Sequence, residues 1–201
     1  SDANDFAEAD SWIYSWFVPH DVPGLIAAFG GAEAFEARLD AFFAGGHFDP
    51  SNQPSFHVPF LYNHAGVPAK AQARVREVAA SEYRAERNGL PGNDDAGSTS
   101  AWFVWASLGI YPVAPGEPIY QLVSPSVDSA TVHLHPAHYP GSTFELEVID
   151  QAADHPYIQA VTLDGEPLER SWITHEELTR GSRLVVTLGP EPSDWAAATD
   201  W

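Results

Sequence analysis

The residues of this chain that could do chemistry are carboxylates and amides set in short loops bounded by glycine and proline. Residues 91–97 read Pro-Gly-Asn-Asp-Asp-Ala-Gly and stand directly before an apolar helical run. Asn93, Asp94 and Asp95 thus crowd amide and carboxylate oxygens at a helix N-terminus. There the free N–H groups and the positive end of the dipole favour ionised carboxylates. An acid kept ionised can act as a general base on water or bind a hard cation such as calcium. The same three residues also suit an N-cap in a solvated turn. A second acidic stretch, residues 6–16, sets Glu8 and Asp10 among Phe6, Trp12, Tyr14 and Trp16. Aromatic surroundings desolvate a carboxyl, raise its pKa and suit it to proton donation. Ring faces such as that of Trp12 suit stacking on a pyranose; an exposed acid beside core aromatics is the plainer alternative.

A third segment, residues 51–63, carries Asn52, Gln53 and His57, with Pro54 and Pro59 to stiffen it. These neutral donors and acceptors suit recognition of hydroxyls, and a hydrogen-bonded structural loop accounts for them nearly as well. His133 and His135 stand two apart and would share one face of a strand. With no third ligand in sequence reach, a solvent-facing pair is favoured over a zinc site. His20-Asp21 could be a base and its orienter, though a helix-starting cap at Asp21 accounts for the pair more simply. No phosphate-binding loop, G-x-S-x-G elbow or H-E-x-x-H run occurs.

The elements that must position these groups change in texture near residue 118. Before it the periodicity is helical. Phe35, Leu39, Phe42 and Phe43 recur at offsets of four, seven and eight and give one apolar stripe. A helix opening at Pro68 carries Val75, Val78, Ala79 and Tyr83 on one face. Residues 98–108 form another, with Gly109 as its C-terminal cap and Pro112 barring continuation. Residues 21–29 make a short helix stopped by Gly30-Gly31. After residue 118, alternation predicts half-buried strands at 131–135, 143–148, 157–163 and 184–188. Asp164-Gly165 signals a hairpin turn. Thr174 to Glu177 fits a capping box opening one helical turn, closed by Gly181. Helices followed by strands indicate an α+β class and not alternating βαβ units.

The 201 residues are 44% hydrophobic and 12% aromatic, enough for a packed core and too apolar for a disordered chain. No apolar run approaches the roughly 20 residues of a membrane span. Cysteine is absent, which removes disulfides and thiolate chemistry, and methionine is absent too. With neither a start residue nor a signal peptide, the sequence reads as part of a longer or processed protein. The 28 acidic residues against 9 basic ones give a net charge of -19. Such a surface repels phosphate backbones and anionic membranes, and it is compatible with a neutral sugar or a hard cation.

Taken in order, these segments resemble glycoside hydrolase family 92, the calcium-dependent, inverting exo-α-mannosidases. The matching runs are residues 16–26, 52–63, 91–104 with 108–113, 157–168 and 171–178, and the run from Pro91 is the most specific. The resemblance implies a helical portion of an (α/α)6 toroid over residues 1–118 and a C-terminal antiparallel β-rich segment over 119–201. The family's N-terminal β-sandwich and opening toroid helices would lie upstream, and the chain would need that part. By position, Glu8 corresponds to the general acid, in a motif usually Glu-Gly-Asn that here reads Glu8-Ala9-Asp10. Asp95 corresponds to the general base, with Asp94 as helper or second candidate. Asn52 and Gln53 stand where members carry His-Glu or Asn-Glu against the leaving sugar. The departure at Gln53 opens the linkage preference and admits a mannosyl phosphodiester substrate. Trp12, His57 and Asn93 complete the expected substrate contacts. Oxygens of Asn52, Asn93 and Asp95 are the expected calcium (Ca2+) ligands. The implied substrate is a mannose-containing glycan, and the implied location is extracellular or periplasmic. A non-catalytic carbohydrate-binding or calcium-binding fragment is the alternative.

Overall fold

The computed structural model describes residues 5–197. Its first half is helical: α1 (Ser11–Tyr14), α2 (Val22–Phe29), α3 (Ala32–Ala44), α4 (Leu61–His64), α5 (Pro68–Glu82) and α6 (Ser98–Leu108), with 3-10 turns at Gln53–Ser55 and Val58–Phe60 before α4. Local chemistry sets these bounds. The Asp21 carboxylate accepts from the Gly24 N–H at 2.9 Å and caps α2, and left-handed Gly30 ends it. Along α3 the expected stripe buries Phe35, Leu39 and Phe42. They close on Trp16, whose ring meets Phe29 at 5.1 Å, Phe35 at 5.4 Å and Phe42 at 5.6 Å. The helix expected over residues 98–108 is found with those bounds, closed by left-handed Gly109.

The second half holds two sheets. A three-stranded one runs β1 (Ile110–Tyr111), β2 (Ile119–Leu122), β7 (Trp172–Thr174). A five-stranded one has the order β3 (Ser129–His133), β4 (Thr143–Ile149), β8 (Arg183–Gly189), β5 (Tyr157–Leu163), β6 (Glu166–Pro167). Asp164 and Gly165, both with positive φ, make the tight β5–β6 turn. The capping box opens α7 (His175–Thr179), with Thr174 and Glu177 exchanging both bonds. The wholly antiparallel segment expected from sequence is corrected, because β4 and β8 pair in parallel. Strand β8 is inserted between β4 and β5, which run in opposite directions, so it must lie parallel to one of them. Strand β3 ends two residues earlier than expected, since Pro136 has no N–H to extend the ladder. His135 is therefore off the strand, its ring tilted against that of His138 at 5.0 Å.

Helix α6 joins the two halves. Trp102 and Ala106 belong to the core of the helical half, while Trp105 and Leu108 pack on the core of the sheets. Fully buried Asn63 bolts the same joint: its Nδ2 donates to Gln121 Oε1 and Leu122 O, both at 3.0 Å, and to Ser171 O at 3.3 Å. The Arg76 guanidinium of α5 adds a bond to Pro125 O at 2.7 Å.

Candidate active site

Three loops meet at one open pocket of about 860 Å³: the chain before α1, the lead into the 3-10 turn, and the loop before α6. Asn52 sits at the head of the turn. Its Oδ1 accepts from the Gln53 N–H at 2.9 Å, which fixes the amide so that Nδ2 faces Glu8. That nitrogen donates to Glu8 Oε2 at 2.6 Å and to the Glu8 carbonyl at 3.2 Å. The next residue reaches the other way, and Gln53 Nε2 donates to Asp95 Oδ2 at 2.7 Å. Two neighbouring amides thus hold two carboxylates on one pocket.

The backbone at both acids is unusual. Glu8 has φ 70, and Asp95, Ala96 and Gly97 follow one another at φ 49, 60 and 95. Left-handed conformation disfavours side chains with a Cβ, most of all at Glu8 and Ala96, and such outliers concentrate at functional sites. Gly92 marks a close approach: a Cβ there would lie 2.2 Å from Ser51 O. Sequence reasoning missed Gly92, because a Pro-Gly pair reads as a turn and carries no signal of a neighbouring strand of chain.

The structure brings Glu8, Asn52, Gln53, Asn93 and Asp95 together at the pocket; three other expected residues stand apart from it. Asp94 Oδ1 accepts from the Ser100 N–H at 2.9 Å and so caps α6 from outside the helix. The cap reading holds for Asp94, and Asp95 is the acid left at the pocket. His57 is buried, donating from Nε2 to the Trp16 carbonyl at 2.8 Å. Burial pushes its pKa below the usual histidine value, against the pull of that bond. Trp12 is stacked on His47 at 3.9 Å, with the Arg38 guanidinium 4.6 Å from its ring, so its faces are already used. The desolvated cage around Glu8 is also corrected. Glu8 is exposed, and Phe6, itself 38% exposed, pairs with Tyr14 at 5.9 Å instead of covering the carboxyl. Asp21 caps α2 and His20 is exposed, so that pair resolves as a helix start.

The donors at the pocket are oxygens and amide nitrogens. Asn93 and Asp95 present hard oxygens of the kind calcium takes. Asn52 does not fit that role as expected, since its oxygen turns back on the Gln53 N–H. Among the described residues, no group of three or more His, Asp or Glu side chains is placed to hold a metal by itself.

Two carboxylates on one open pocket, each held by a neutral amide, are groups of the kind that general acid–base hydrolysis uses, the class of reaction to which glycosidases belong. The chain belongs to glycosyl hydrolase family 92: the model of that family's catalytic domain matches residues 1–190. An uncharacterised secreted glycosidase of Arthroderma benhamiae is 35% identical over 195 residues, covering 97% of this chain and 25% of the relative. A family 92 α-mannosidase of Bacteroides thetaiotaomicron superposes with a TM-score of 0.90 at 30% identity, over 97% of this chain and 26% of that one. A family 92 inverting mannosidase from the same species gives 0.85 at 33% identity, over 96% of this chain and 29% of that one. The chain thus spans about a quarter of the length of the curated relative it matches.

Proposed function

We propose that this chain supplies the acid–base pair of a secreted enzyme that hydrolyses terminal α-linked mannose with inversion. The observation that carries the reading is the Asn52-Gln53 dipeptide, which ties Glu8 and Asp95 to one pocket. Glu8 gives its proton to the departing glycosidic oxygen as the anomeric C–O bond breaks. Asp95 takes a proton from the water that forms the new C–O bond on the opposite face. The two carboxyls then stand roughly 6.5–9.5 Å apart, leaving room for that water. Gln53 holds one oxygen of Asp95 and leaves the other for the water. Asn93 and Asp95 would hold calcium together with oxygens from outside these residues, and the ion would supply Lewis-acid positioning of the sugar's vicinal hydroxyls.

Mannose as the substrate is supported by the likeness to a family 92 α-mannosidase solved in complex with mannoimidazole, at 29% identity and a TM-score of 0.88. Action outside the cell is supported by the secreted relative. Residues 1–118 would be part of an (α/α)6 toroid and 119–201 its β-rich continuation. Helix α6 supports this: its middle, residues 101–106, is apolar on every side, with Phe103 40% and Val104 56% exposed, as suits a helix that the rest of a catalytic domain covers.

The test is made in an enzyme of the relatives' full length carrying these residues. Glu8→Gln and Asp95→Asn should each lower turnover of a mannobiose by about 10²-fold or more. An activated aryl α-mannoside should restore rate to the Glu8 variant and not to the Asp95 variant. NMR of the wild-type product should show β-mannose first. A near-normal rate for Asp95→Asn on the aryl substrate would remove Asp95 from the base role.

A further inference from the structure

The segments that carry the two carboxylates are fastened together behind the pocket by two buried hydrogen bonds ending on adjacent residues. His57 Nε2 donates to Trp16 O at 2.8 Å, and Trp102 Nε1 donates to Phe56 O at 2.9 Å. Trp16, Phe56, His57 and Trp102 are all buried. The first bond reaches the segment that bears Glu8. That segment moves as one piece, because Asp10 caps α1 through the Ile13 N–H at 3.0 Å and the Tyr14 hydroxyl donates to Ala7 O at 2.6 Å. The second bond reaches α6, whose N-terminal loop bears Asp95. At the head of the same turn, Asn52 and Gln53 touch the carboxylates themselves. Each acid is therefore held twice by one short stretch of chain, once at its side chain and once at its supporting element. The base side has a hard stop as well, since Gly92 leaves no room for a Cβ against Ser51 O.

We infer that the turn at residues 52–60 is the spacer that sets the distance between acid and base, and that His57 is a positioning residue for Glu8. This rests on the reading of Glu8 and Asp95 as the acid–base pair. A helix of four residues, α1, has too few internal bonds to hold a carboxyl in place by itself. The His57 bond supplies the missing constraint from the interior, where no water competes with it. The Val18 N–H also reaches Trp16 O, at 2.8 Å. Removing the imidazole thus leaves that carbonyl paired and loosens position more than stability.

The experiment compares His57→Leu, which lacks a donor, with His57→Gln, whose amide N–H can reach the same carbonyl, in an enzyme of the relatives' full length. Each is assayed on an α-mannobiose and on a dinitrophenyl α-mannoside, whose leaving group needs no proton. A displaced general acid should cost His57→Leu about 10²-fold in kcat on the mannobiose, with a loss of only a few-fold on the aryl substrate and KM little changed on both. His57→Gln should recover most of the loss. Equal losses on the two substrates, no loss on either, or no advantage of Gln over Leu would each overturn the inference. Should His57→Leu not fold, the leaving-group split in His57→Gln against wild type decides it, a small split of the same sign supporting it and its absence overturning it. The Glu8→Gln control keeps the two levels apart. If that variant shows no leaving-group split, the acid assignment has failed; if it does and the His57 variants do not, only the positioning role has.

Discussion

Gln53 faces Asp95 with an N–H, and that choice of side chain fixes what the carboxylate can do. An amide at 2.7 Å stabilises the carboxylate's orientation without adding charge, whereas a second carboxylate at that distance would force the pair to share a proton or splay apart. Gln53→Leu removes the donor and keeps the bulk. A bond to a charged group is worth about 1.5–3 kcal/mol when sheltered and less at an exposed site, so a loss of about tenfold in kcat is expected from steady-state kinetics. An unchanged kcat would show that Gln53 does not orient Asp95 for the base role proposed for it. The neighbouring acids show how far the site was legible. Three clustered polar residues before a helix were visible in the sequence, but which acid caps and which faces the pocket was not. That depends on the left-handed turn at Asp95, Ala96 and Gly97, which swings Asp95 to the pocket and leaves Asp94 over the Ser100 N–H. Asp94→Ala should therefore cost about 1 kcal/mol of stability in urea denaturation, and Asp94→Asn, which can still accept, much less. The roles of His57 and Trp12 were likewise illegible, because burial against Trp16 and stacking on His47 are contacts across the fold with no local signature.

At the scale of elements, the junction between α6 and β1 carries the strictest demand. Gly109 has φ 72, and a Cβ there would lie 2.5 Å from Val123 O, the same carbonyl-bearing residue whose N–H bonds Gly109 O at 2.9 Å. Gly109→Ala must then pay the left-handed penalty of about 1–2 kcal/mol and also push the β2 end away. The unfolding free energy from urea denaturation should fall by at least that amount, and a value within error of wild type would show that the junction yields freely. This glycine was legible from sequence as a cap, since it stands after a helical run and before Pro112. Its contact with Val123 was not. The same division holds elsewhere. Helices α2, α3, α5 and α6, the Asp164-Gly165 turn and the Thr174 capping box are written in local spacing and capping chemistry. Strands β1, β2 and β7 are two to four residues long, too short for alternation to show. The parallel pairing of β8 with β4 comes from the order of strands, which no window of sequence contains.

Over the whole molecule, the joint between the helical and sheet halves is polar at its centre, and that makes it sensitive to acid. His64 lies at this joint, its Nε2 accepting from Gln121 Nε2 at 3.2 Å, next to Asn63 with its three bonds to the sheet side. Burial, followed by the nearby His57, pushes the His64 pKa down from 6.5 to about 4. Because the folded value lies below the unfolded one, the unfolded chain binds the extra proton between these limits. The stabilisation is thus fully present above about pH 6.5 and is lost as pH falls towards 4. A shift of that size corresponds to about 3 kcal/mol at most, spread over the window. His57, lowered in the same direction by burial, adds to the effect. The net charge of -19 works the other way, since acid relieves repulsion among the carboxylates. Comparing wild type with His64→Gln, which keeps a polar group and does not titrate, cancels that background. Between pH 7 and 4.5 the unfolding free energy of wild type should drop by about 2–3 kcal/mol more than that of His64→Gln. Parallel pH profiles for the two proteins would mean that His64 accepts its proton without opening the joint.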